Sequence, residues 1–136
     1  METIEKKASG KGYAAASIGN LAEFEGKAFI KDVIGTTSVE VSFGTIATGE
    51  SLPFCHHHLQ NEEVYIVISG NGVFTLGNDE VEAASGTVVK VEPPVSRTIR
   101  CTGNTPLVYL CIQGKASSLD QYTMTDGVIE PTPDQE

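Results

Sequence analysis

From Thr37 onward, apolar and β-branched residues come in short bursts separated by glycine, proline and asparagine. Thr37 to Ala47 alternates, placing Val39, Val41 and Phe43 on one face of an extended chain. Glu63 to Ser69 is an almost unbroken run of β-formers, and an Asn71-Gly72 turn leads into a strand that ends at Leu76. Thr87 to Val91, Arg97 to Cys101 and Leu107 to Gln113 continue the series. No stretch sustains a helical period, so the pattern predicts an all-β domain of antiparallel strands, closed as a sandwich or barrel.

The flanks read differently. Residues 1–26 predict an N-terminal arm or edge segment, mobile over the small residues Ser9 to Ala16. Residues 27–115 hold the predicted barrel, and 116–136 an acidic tail in which Pro131 and Pro133 interrupt regular structure. Beyond Lys115 no basic residue remains, whereas Asp120, Asp126, Glu130, Asp134 and Glu136 are acidic, which predicts a solvated end from Glu130 onward. Tyr122, Met124, Val128 and Ile129 are apolar enough to pack on something, a partner subunit included. The 136 residues suffice for one domain with a real core, and no internal repeat divides them.

Charge and cysteine usage narrow the functional classes. Nine Lys and Arg against eighteen Asp and Glu give a net charge of -9, which argues against binding nucleic acid or an anionic membrane surface. No apolar run approaches the roughly 20 residues needed to span a bilayer. The start, Met1 to Lys7, has mixed charge and no apolar core after it, unlike a secretory signal. Cys55, Cys101 and Cys111 are an odd number without close pairing, which predicts reduced thiols and a cytoplasmic location.

The densest chemistry lies in one stretch. His56, His57 and His58 are the only histidines, and Glu62 and Glu63 follow closely. On an extended chain His56 and His58 share a face and His57 points away. A carboxylate from the next strand completes two imidazoles and one oxygen, a donor set for a divalent transition metal.

These residues resemble the first conserved motif of the cupin family. Four residues separate His58 from Glu63 and six separate Glu63 from Gly70, matching the family's spacing and favouring Glu63 over Glu62. Six residues separate Gly49 from His56, one more than is usual there. The second motif is weaker: aligned from Gly86, its expected proline falls on Glu92, its second glycine on Pro94 and its histidine on Arg97. The resemblance covers about Ala28 to Gln113 and implies a double-stranded β-helix, or jelly-roll barrel, with a site inside its mouth and a homodimeric assembly. It implies His56, His58 and Glu63 as ligands for one divalent metal (Fe, Mn, Ni or Zn), with arginine, always protonated, where a fourth ligand is expected.

Arg97 then has two readings. It is an anion clamp inside the barrel, or it pairs with a carboxylate such as Glu63 or Glu92 and lowers metal affinity. Tyr65 and Val67 share the Glu63 face and are expected to line the pocket, with Phe74 and Ile99 as further apolar wall. Cys101 shares a face with Ile99 and Arg97 and is a candidate pocket residue, as a soft ligand or redox group, though a small buried thiol is the better explanation; Cys55 and Cys111 are expected to fill core or face the second sheet. Arg97, Tyr65 and Cys101 are therefore the expected substrate-binding residues. The functional expectation is a metal-dependent enzyme on a small anionic molecule, dioxygenase- or isomerase-like. The alternatives are a non-catalytic ligand-binding protein, metal-free or not, and a metal-free sugar epimerase using His58 with Tyr65 or Tyr109.

Overall fold

A computed structural model describes residues 4–133. β1 (Glu5–Gly10) and β2 (Tyr13–Ser17) pair as a separate hairpin. After a 3₁₀ turn at Leu21–Glu23 come β3 (Lys27–Phe29), the one-turn helix α1 (Lys31–Ile34) and β4 (Glu40–Ile46). The remaining strands are β5 (Asn61–Ser69), β6 (Gly72–Leu76), β7 (Asp79–Ala83), β8 (Val88–Val91), β9 (Arg97–Cys101) and β10 (Leu107–Lys115).

Two antiparallel sheets make the barrel: five strands in the order β3-β4-β10-β5-β8, and three in the order β7-β6-β9. Both contribute to one core, in which Phe74, Ile99, Leu107 and Val67 are almost wholly excluded from water. Burying each such side chain contributes about 1.5–3 kcal/mol, which explains why the sheets close on each other. This is the expected all-β double-stranded β-helix.

Strand pleat sorts the two faces of the large sheet. On β5 the buried positions are Glu63, Tyr65 and Val67, and on β4 they are Ser42, Gly44 and Ile46. The apolar alternation of β4 therefore marks its outer face: Phe43 packs with Phe24, Ala28 and Val108, while Val39 lies before the strand and is 37% exposed. Ile4, Ile18 and Phe24 cover that outer face, so the N-terminal segment contributes to the packing. The stretch expected to be mobile, Ser9 to Ala16, lies within the β1–β2 hairpin. Residues 117–133 are exposed and carry no strand, and Tyr122, Met124, Val128 and Ile129 are each at least 79% exposed. Asp134 and Glu136, expected in the acidic tail, lie outside the described residues.

The turn between β5 and β6 requires glycine at position 70. Its φ of 88° is left-handed, and a Cβ there would lie 2.4 Å from the Pro106 carbonyl oxygen. Backbone does not yield as a flexible side chain does, so Gly70→Ala is expected to destabilise the fold by about 2 kcal/mol or more. Urea denaturation measures this, and an unchanged midpoint contradicts it.

Candidate functional site

The histidines reach the barrel on an extended segment that is not a full strand. Ser51 and His56 bridge to Arg100 and Arg97, so residues 51–58 run along the free side of β9. The His56 N–H donates to the Arg97 carbonyl at 3.1 Å, the Arg97 N–H returns to the His56 carbonyl at 2.9 Å, and the His58 N–H donates to the Pro93 carbonyl at 2.9 Å. Extended backbone preserves the alternation: His56 and His58 are half-buried and turned inward, while His57 is exposed.

Glu63 enters from β5 and is 4% exposed. Its Oε2 lies 3.1 Å from His58 Nε2, and its Oε1 lies 3.8 Å from His56 Nε2. One donor atom from each of His56, His58 and Glu63 falls within 4.8 Å of the others. Glu62, the neighbouring carboxylate, is half-buried on the alternate face and is not in this cluster.

Arg97 is 1% exposed and committed to the protein. Its Nη1 donates to Glu63 Oε1 at 2.8 Å. Nη2 donates to the carbonyls of Val95, Glu92 and Pro93 at 2.7, 3.0 and 3.1 Å, and Nε donates to Val95 again at 3.1 Å. The turn from Glu92 to Ser96, where the second motif departs from its usual residues, thus wraps the guanidinium. Of the two arrangements considered for Arg97, pairing with Glu63 is the one observed, and its head is not among the cavity walls. The two charges satisfy each other and the remaining donors find carbonyls, which a buried ion pair requires.

Tyr65 also serves Glu63, donating its hydroxyl to Oε1 at 2.5 Å. Burial opposes ionisation of Glu63, but the hydrogen bonds from Tyr65 and Arg97 and the charges of His58 and Arg97 outweigh it, so the carboxyl stays below its usual range. Burial, the Cys111 charge and the bond to Glu63 raise the Tyr65 phenol, keeping it protonated as a donor. Burial lowers the pKa of His56 despite the attraction of Glu63, with Arg97 adding to the fall. That favours neutral imidazole, the form that binds metals. Its Nδ1 is buried without a hydrogen-bond partner.

These groups open on a cavity of about 590 Å³. Two cross-strand rows on the inner face of the large sheet form its floor: Phe29, Ser42, Cys111 and Tyr65, and beside them Lys27, Gly44 and Tyr109. Leu52, Pro53 and Phe54 close it from the histidine segment. A shallower cavity of about 460 Å³ lies by Ser51–Cys55 and β9, but its charged residue, Arg100, is paired with Glu80 at 3.0 Å.

Several expectations place differently. Cys101 is buried in the core, its Sγ contacting the Thr105 carbonyl at 3.3 Å, and does not line the cavity that holds the histidines. Phe74, Ile99 and Val67 are core beneath it. Cys111 packs in the core as expected and also lines the cavity, its thiol pushed up to about 12 by burial and Glu63, whereas Cys55, expected to fill core or face the second sheet, is exposed. Lys27 escaped the sequence reading, and Tyr109 appears there only as an acid–base partner for His58. Both are legible only from the β3–β4–β10 register, which a three-residue strand does not announce.

Residues 42–113 match the family model described as a cupin domain. The fold superposes on the crystal structure of a cupin protein from Bacteroides fragilis with a TM-score of 0.81 at 35% identity, covering 88% of this chain and 98% of that one. A provisionally assigned sugar phosphate isomerase from Acidithiobacillus ferrooxidans is similar at a TM-score of 0.57 and 26% identity, over 65% of this chain and 58% of that one. An uncharacterized protein of Methanocaldococcus jannaschii is 36% identical over 56 residues, 41% of this chain and 45% of that protein, so the match spans less than half of that relative. The matched family model covers more than half of the sequence and the Bacteroides protein is aligned over nearly its whole length, so the chain belongs to the cupin family.

Proposed function

We propose that this cupin is a metal-dependent enzyme acting on a small molecule held in the barrel, with His56, His58 and Glu63 as the metal ligands. The observation that carries the reading is the convergence of these donors at one cavity. Donor bonds of about 2.0–2.2 Å place neighbouring ligands about 3 to 3.5 Å apart. The His58–Glu63 separation of 3.1 Å is already in that range, and the donor atom of His56 lies within 4.8 Å of both. Arg97 and Tyr65 both occupy Oε1, which leaves Oε2 as the oxygen facing a metal.

A bound Fe, Mn, Ni or Zn ion would supply Lewis acidity, or with iron oxygen chemistry, at positions left open by three protein ligands. The chain's own residues do the rest. Tyr65 and Arg97 fix the carboxylate, and the apolar walls exclude water. Dioxygenase- and isomerase-like reactions both suit such a site, and the fold does not choose between them. The sugar phosphate isomerase assignment of the Acidithiobacillus relative is consistent with the second class.

A second reading, a ligand-binding cupin without turnover, is favoured by the Arg97–Glu63 pair, which neutralises the carboxylate without any metal. The reading includes a homodimer, supported by apolar residues at both edges of the large sheet: Phe29 is 55% and Val88 61% exposed. It also includes a cytoplasmic setting, consistent with free Cys55, Cys101 and Cys111. No helix among the described residues is long and apolar enough to cross a membrane.

Protein purified without a histidine tag is expected to carry about one equivalent of divalent transition metal by elemental analysis. His56→Ala and His58→Ala should lose it and His57→Ala should keep it; equal loss in all three defeats the alternation argument. Glu63→Gln is preferable to Glu63→Ala, because its amide oxygen can still accept from Arg97, although neither variant neutralises the guanidinium. For the ion pair itself, Arg97→Met should lower unfolding free energy by about 3–5 kcal/mol in denaturant titrations of metal-free protein. A loss below about 1 kcal/mol would mean that the pair is dispensable.

A further inference from the structure

Among the described residues, Lys27 is the only lysine or arginine that lines the main cavity; Arg97 lies behind Glu63 and does not line it. It sits at the rim on the edge strand β3, an exposed residue whose ammonium lies over two aromatic rings. Nζ lies 5.2 Å from the Tyr109 ring centre and 5.4 Å from that of Phe29. Among the described residues it makes no ion pair and no hydrogen bond, so its three N–H donors have no protein acceptor. Burial accordingly pulls its pKa below the usual lysine value, against the opposing charges of Cys111 and Glu63.

The local backbone is built for this placement. Lys27 pairs with Gly44, and Gly44 with Tyr109, in one row across three strands. A Cβ at Gly44 would meet the Tyr109 Cζ and Oη at 2.7 Å, so the missing side chain is what lets the ring lie where the ammonium covers it. Cavity charge then contrasts with the whole. The chain carries -9, yet its cavity holds Lys27 plus an Arg97–Glu63 pair that cancels itself. A metal would make the interior more positive.

We infer that Lys27 is the anion-binding group of this cavity, taking the carboxylate or phosphate end of a small bifunctional ligand whose other polar end faces His56, His58 and Glu63. This deepens the proposed function, on which it rests for the choice of cavity, and transfers the role expected of Arg97 to Lys27. The two polar ends are inferred because Lys27 and Glu63 line the same cavity from strands three places apart in the sheet.

The test is calorimetric titration of intact protein, both chelator-treated and zinc-loaded, with succinate, phosphoglycolate and uncharged succinamide. At least one anion should bind saturably and about tenfold or more tighter than succinamide, the tighter of the two naming the preferred oxyanion. Lys27→Met should weaken that anion by about tenfold, Lys27→Arg should retain most of the affinity, and Lys31→Met, an equal charge change outside this cavity, should leave it intact. Wild-type affinity in Lys27→Met, or saturation by neither anion in either form, overturns the inference. Lys27-dependent binding by protein that takes up no metal upholds it while refuting the metal reading.

Discussion

The buried Glu63 carboxylate is the constraint around which the rest of this site is arranged. A lone charge so deep costs several kcal/mol, so it persists only with partners. Arg97 and Tyr65 hold one oxygen, and His58 meets the other. Satisfying the arginine in turn demands three carbonyls from the turn before β9. That turn and the start of β9 also hold the histidine segment, through His56 to Arg97 and His58 to Pro93. One carboxylate thus links β5, β9 and residues 51–58, joining the two sheets where the cavity opens.

Arg97 also changes what the site can be. With histidine there, a metal could have a fourth protein ligand. With a guanidinium, the carboxylate is compensated before any metal arrives, and the competing charge lowers metal affinity while Oε2 stays available. The same pairing removes arginine from the cavity wall and leaves Lys27 as the cation a ligand would meet. Stability and recognition are thereby separated: the buried cation serves the fold, and the rim cation is free for a ligand.

Much of this was legible in the sequence, for reasons that differ by residue. Strand parity rests on backbone geometry alone, so the separation of His56 and His58 from His57 needed only an extended chain, even though residues 56–58 form no regular strand. Spacing selected Glu63 over Glu62. The β4 face was harder, because a barrel with a polar cavity inverts the usual equation of apolar with inward: Phe43 faces the N-terminal cover while Ser42 and Gly44 face the cavity. Cys101 and Cys111 are both core, and only Cys111 also lines the cavity, because parity names a face but not a depth. Cys111 pairs with Tyr65 at cavity level, whereas Cys101 pairs with Gly72 at the far end of β9. Lys27 depended on cross-strand register, which a single sequence does not specify at so short an edge strand.

X-ray absorption spectroscopy of the metal-reconstituted protein tests the central claim most directly, because it reports the donor atoms themselves. A site built on His56, His58 and Glu63 predicts a shell of nitrogen and oxygen at about 2.0–2.2 Å with the multiple-scattering signature of two imidazoles. A sulfur shell at about 2.3 Å, which would place Cys111 on the metal, or a spectrum without imidazole, would contradict it.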